Sequence, residues 1–172
     1  VNNGGLIQTS GEAATALAAT SGGGGGGFIA EIGGDLLGGS NTNGNTSAGD
    51  ILVTNKANLL TFGDGSIGLA ALSHGGGHAF SGPIRSGQQL VSIGNIGSSD
   101  GSAGSVNIIN TGVIQTSGAA APAILVQSTG GGGVYAPVAS DQDFYWLGNA
   151  GTNTSGNNAD SVTINTQGNI TT

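Results

Sequence analysis

Asp141 and Asp143 form a carboxylate pair two positions apart. On a strand they would share one face, which suits a cation or the acid/base pair of a glycosidase. A solvated loop is the plainer reading. His74 and His78 bracket three glycines. That spacing aligns two metal ligands on a helix, but consecutive glycines argue against a helix. They read as a loop pair, and no metal or cofactor is assigned. Calcium-binding rolls use tandem Gly-Gly-x-Gly-x-Asp nonapeptides, whereas Asp35, Asp50, Asp64, Asp100 and Asp160 are scattered without that period.

Two glycine motifs mimic known machinery. Gly63-Asp64-Gly65-Ser66-Ile67-Gly68 fits the dinucleotide fingerprint but lacks the following helix and the acidic residue about 20 positions on. Gly97-Ser98-Ser99-Asp100-Gly101 fits a nucleophile elbow, which needs a histidine after its serine. Both histidines of the chain precede it. One segment stands apart: Phe144, Tyr145 and Trp146 place three aromatics together in a chain that is 4% aromatic. They are the candidate binding residues, as a sugar-stacking or protein-contact patch. The alternative is that they plug or cap a core.

What must position these residues is a repeat. Val1-x-Asn3-x-Gly5-x-Ile7-x-Thr9-x-Gly11 recurs from Val53, from Ile108 and, cut short, from Ile164, at offsets of 52, 55 and 56 residues. Such a period means an array of one stacked unit. Ala16-Leu17-Ala18-Ala19-Thr20-Ser21 likewise matches Gly68 to Ser73 and Ala123 to Ser128. Glycine runs follow each block, and Phe28, Phe80 and Tyr135 close them in the same register. The chain therefore reads as one array over 1–172, with units 1–52, 53–107, 108–163 and a partial 164–172, taken from a longer protein.

The opening phrase alternates with period two and reads as strand. The block from Ala123 to Ser128 is apolar on both faces and reads as a doubly buried strand in preference to a short helix. The remaining stretches (29–52, 81–107 and 136–161) vary in length and read as loops, Gly38-Gly39-Ser40 included. A unit of about 54 residues exceeds the roughly two dozen of an ordinary β-helix coil. Each unit makes either two turns, or one turn with a large glycine-rich excursion.

Composition narrows the function classes. Lys56 and Arg85 are the only basic residues, and the net charge is −7. A chain so poor in cations has no means of neutralising phosphates, so nucleic-acid binding is excluded. Only 6% of residues are charged, which also sets it apart from a disordered polyanion. The polarity comes from amides and hydroxyls able to form ladders between stacked strands. There is no cysteine, so disulfides and thiolate metal sites are excluded.

The string Gly112-x-Ile114-x-Thr116-x-Gly118, then Ala123 to Ser128, then Gly130 to Gly133, resembles the passenger repeats of bacterial autotransporters. The first copy fits nearly as well, while the second departs at Ala57, Leu72 and His74. The resemblance implies an all-β, right-handed parallel β-helix or β-solenoid of three to four repeats. It also implies export to a Gram-negative surface and work in adhesion, aggregation or biofilm formation.

The expected function is thus a non-catalytic structural or adhesive segment of a secreted cell-surface protein. Its partners would be a host or neighbour-cell ligand, or further copies stacked on the open solenoid ends. A filament subunit assembled through those ends is one alternative. A β-helical polysaccharide-acting enzyme using Asp141 and Asp143 is another. An ice-binding surface built on Thr9, Thr61, Thr116 and Thr172 is disfavoured, because their parity with Ile7 and Ile114 points them inward.

Overall fold

The computed structural model describes residues 1–23, 47–76, 101–131 and 157–172 in full. It describes 26–29, 36–40, 78–81, 91–95, 133–135 and 145–147 by backbone pairing alone. The described residues are all strand, turn and extended chain, without a helix. The first repeat supplies β1 (Asn2–Asn3), β2 (Ile7–Thr9), β3 (Leu17–Gly22), β4 (Gly26–Ile29) and β5 (Leu36–Ser40). The second supplies β6 (Ile51–Asn55), β7 (Leu59–Phe62), β8 (Leu69–His74), β9 (His78–Ser81) and β10 (Val91–Asn95). The third supplies β11 (Val106–Asn110), β12 (Ile114–Ser117), β13 (Ile124–Thr129), β14 (Gly133–Tyr135) and β15 (Tyr145–Leu147). The last adds β16 (Val162–Thr166) and β17 (Ile170–Thr171).

Strands pair only with their counterparts one repeat away, and always in parallel. Five sheets result: β1-β6-β11-β16, β2-β7-β12-β17, β3-β8-β13, β4-β9-β14 and β5-β10-β15. Every complete repeat is therefore one layer that gives one strand to each sheet. The register is the one read from the repeats, with Val53 opposite Ile108 and Ile108 opposite Ile164. Phe28, Phe80 and Tyr135 also stand in one backbone row.

Alternation decides which side chains fill the layer. In β6, Ile51, Val53 and Asn55 turn inward and are buried, while Leu52 turns out; β11 repeats this with Val106, Ile108 and Asn110. The first three sheets close over a shared core of Val53, Leu59, Leu69, Ala71, Ile108 and Ile114. Removing an aliphatic side chain of this size from water is worth about 1.5–3 kcal/mol. All six residues of β8 are buried, so this strand is covered on both faces, as its doubly apolar sequence implied. Its second face packs Ala70 and Leu72 with Ile67 and Leu125 in a separate cluster.

One expectation is corrected. The variable stretches are not loops throughout, because β5, β10 and β15 lie within them and form a sheet of their own. Gly38, Gly39 and Ser40 are strand residues paired with Ile93, Gly94 and Asn95. Parallel ladders are made by backbone groups, so a strand held against a neighbour persists where side chains differ and glycine is frequent. The length differences fall in the connections.

Candidate functional site

The polar side chains that repeat with the strands are engaged with one another. Asn3 Nδ2 donates to Asn55 Oδ1 at 2.8 Å, and Asn55 Nδ2 donates to Asn110 Oδ1 at 2.7 Å. Asn110 Nδ2 then donates to Thr166 Oγ1 at 3.1 Å. The second amide hydrogen of Asn55 goes to Ala57 O at 2.8 Å, and that of Asn110 to Gly112 O at 2.9 Å. Asn55 and Asn110 are fully buried, a position open to an amide only when its donors and acceptor are met. This ladder pins the strand ends to the turn that follows them.

A second ladder runs through Ser21, Ser73 and Ser128, where each layer closes on itself. Ser73 Oγ donates to Gly49 O at 3.2 Å, 24 residues back, and Ser128 Oγ donates to Gly104 O at 3.0 Å, again 24 residues back. The same oxygens accept backbone N–H groups of the returning chain. Gly49 N reaches Ser21 at 2.8 Å over 28 residues, Gly104 N reaches Ser73 at 2.9 Å over 31, and Asp160 N reaches Ser128 at 2.9 Å over 32. Each repeat is thereby divided into a turn of constant length and an excursion of variable length. The serine is thus the point at which both spans meet, and the longer one carries the strands of the fourth and fifth sheets. The crossing is tight, since a Cβ on Gly75 would collide with the carbonyls of Gly101 and Ser102. That close approach is the physical reason for glycine where the chain leaves the turn.

Side-chain oxygens at the corners bond backbone groups of the next layer or of their own. Asp50 Oδ1 accepts from Ser105 N at 2.7 Å and from Ser105 Oγ at 2.9 Å. The backbone bond first, and the hydroxyl second, hold the Asp50 carboxyl below the ordinary value of 3.8. Asp64 Oδ1 accepts from Ala119 N at 2.8 Å, and Asn58 Oδ1 from Val113 N at 3.2 Å. Thr9 and Thr116 donate to the carbonyls of Ala14 and Ala121, at 2.8 and 2.6 Å. The threonine row faces inward, since Thr61 is fully buried and Thr116 nearly so.

Each motif of the sequence has a place in this frame. Gly63 to Gly68 forms the corner between the second and third sheets, where Gly65 (φ 67°) is matched by Ala13 (φ 50°) and Ala120 (φ 51°). It is a turn of the scaffold repeated in every layer. His74 ends β8, fully buried, with Nε2 3.0 Å from Gln127 Oε1. His78 opens β9. Among the described residues no three His, Cys, Asp or Glu side chains gather into a metal-binding group. Gly97 to Asp100, the Asp141 and Asp143 pair, and Phe144 lie outside the described residues.

Tyr145 and Trp146 lie in β15, opposite Val91 and Ser92, whose own partners on the other side are Leu36 and Leu37. The aromatic segment therefore has counterparts in both other layers, which unequal connections hid from a fixed-offset comparison. Sequence reading also passed over the serine ladder. Its signal was present: a serine at one offset in three copies, each with a short residue preceding the next opening strand. Compared with known proteins, the chain matches no family model, no curated protein and no solved structure.

Proposed function

We propose that this chain is a non-catalytic structural and adhesive segment of a secreted bacterial surface protein, folded as a right-handed parallel β-solenoid and displayed outside the cell. One observation carries the reading. The polar side chains that recur with the strands, Asn3, Asn55, Asn110, Ser21, Ser73 and Ser128, are spent on hydrogen bonds that bind layer to layer or turn to excursion. A frame whose repeated polar groups hold it together offers surface and length as its means of action. The excursions, which carry Phe144, Tyr145 and Trp146, supply the variable contacts to a host or neighbour-cell ligand.

Beads coated with the purified chain should bind cells, and Trp146→Ala should weaken binding while leaving the circular dichroism of the stack unchanged. Turnover of a polysaccharide abolished by Asp141→Ala would overturn the reading in favour of an enzyme. Binding of uncoated and coated beads to the same extent would remove adhesion.

A further inference from the structure

Among the described residues, His74 is the one ionisable side chain that is fully buried. Strand alternation puts it on the second face of β8, beyond Ala70 and Leu72, whose cluster with Ile67 and Leu125 is apolar. Its Nε2 lies 3.0 Å from Gln127 Oε1, one layer on. An amide oxygen only accepts, so Nε2 holds a hydrogen, and one further proton makes the ring a cation. Gly22 and Thr129 stand beside His74 in its row, and neither side chain ionises. The register of the stack therefore does not require a histidine at this slot.

His74 also stands at the neck. Ser73 before it bonds Gly49 and Gly104, and Gly75 after it passes against the carbonyls of Gly101 and Ser102. Gly76 then turns at φ 78°, as its counterpart Gly131 does at φ 81°. Two backbone bonds fasten this point to the layers on either side. Gly23 N donates to His74 O and Gly75 N donates to Thr129 O, both at 3.0 Å.

We propose that His74 is an acid-operated release at the neck, letting the excursion of the second layer part from its turn. The strands packed against β8 are β3, β6, β11 and β13, and none of them carries an ionisable side chain. Beyond their ends, Asp50 leads into β6 with its carboxylate on Ser105, Asp160 precedes β16 with its carboxylate on Ser161 N, and His78 opens β9. Burial disfavours the charged ring, so His74 stays neutral while the neck is closed. Once the neck opens, the ring takes up a proton near pH 6.5, as a free histidine does. The open form then holds more protons than the closed one. The closed neck is accordingly at full strength above about pH 6.5 and is weakened as pH falls, by about tenfold at pH 5.5. Opening bares Ala70 and Leu72, while Leu59 and Ile108 lie in the other core and stay covered. The release does not depend on what the excursions contact.

The test is amide hydrogen exchange of the intact chain at about pH 7.5 and about pH 5.5, corrected for the intrinsic rate at each pH. Gly23 and Gly75 should lose about tenfold of their protection at the lower pH while Leu59 and Ile108 keep theirs. His74→Gln keeps a hydrogen-bonding side chain but does not titrate, and should show the same protection at both pH values. His78→Gln should retain the loss. Equal protection of Gly23 and Gly75 in the unaltered chain would overturn the release. A loss that persists in His74→Gln, or vanishes in His78→Gln, would overturn its assignment to His74. If His74→Gln does not fold, the ring proton resonances of His74 in the unaltered chain decide. A protonation midpoint below about 6.5 upholds the proposal, and one at or above that value overturns it.

Discussion

Thr61 and Thr116 occupy the same slot, yet only one has an acceptor. Thr116 Oγ1 donates to Ala121 O at 2.6 Å, while the buried Thr61 Oγ1 has no hydrogen-bond partner among the described residues. A buried hydroxyl without a partner loses its hydration for nothing, so Thr61→Val should be neutral or stabilising in urea denaturation. Thr116→Val should cost about 0.5–1.5 kcal/mol. The corner positions carry a comparable contrast. Ala13, Ala120 and their counterpart Gly65 all sit at positive φ, where a side chain crowds the carbonyl and glycine has none to do so. Ala13→Gly and Ala120→Gly should each raise stability by about 1 kcal/mol, and Gly65→Ala should lower it by a similar amount. For Asp50 the sign follows from its lowered folded value. The carboxylate's contribution is present above the unfolded value near 3.8 and is lost as pH falls through the lower folded value. Asp50→Asn should therefore flatten that part of the acid limb in a pH series of melting midpoints.

Among the elements, the first three sheets were legible because burial leaves a period in the sequence. Ile51, Val53 and Asn55 alternate with exposed Leu52, and the block around Leu69 is apolar on both faces because both are covered. The fifth sheet was not legible. The bonds joining Leu36, Val91 and Tyr145 are between backbones and ask nothing of the side chains, so these residues share no type. The place of Trp146 in the array was hidden for the same reason: its slot partners are Ser92 and Leu37. The serine neck fixes where length can vary. Inserting three residues between β9 and β10 should leave the sheet register intact, since the excursions already differ, at 28, 31 and 32 residues. The same insertion between β7 and β8 lengthens a span held at 24 residues in two layers and should disrupt the stack. Circular dichroism and limited proteolysis of the two variants separate these outcomes.

At the scale of the whole molecule, the described strands pair only with those of adjacent layers, so stability is a sum of layers and the interfaces between them. Interior aliphatics such as Leu59, Ile108 and Ile114 are fully buried, whereas Ile164 and Ile170 of the last layer are 48% and 43% exposed. Amide exchange should therefore be slow in β8, β11 and β12, whose inward side chains are buried. Uniform protection along the chain would show that the layers melt as one body.

The amide ladder has a direction. Asn3, Asn55 and Asn110 each donate toward the higher-numbered layer, so the two ends of the row are chemically unlike. In terms of symmetry, such an object cannot be lengthened in its own pattern by a two-fold axis, because strands would then meet antiparallel where the described pairs are all parallel. Only translation with rotation, like joined to unlike, continues the pattern, and that operation does not close. The ladder thus gives the stack a polarity, and any extension of it is a one-way polymer.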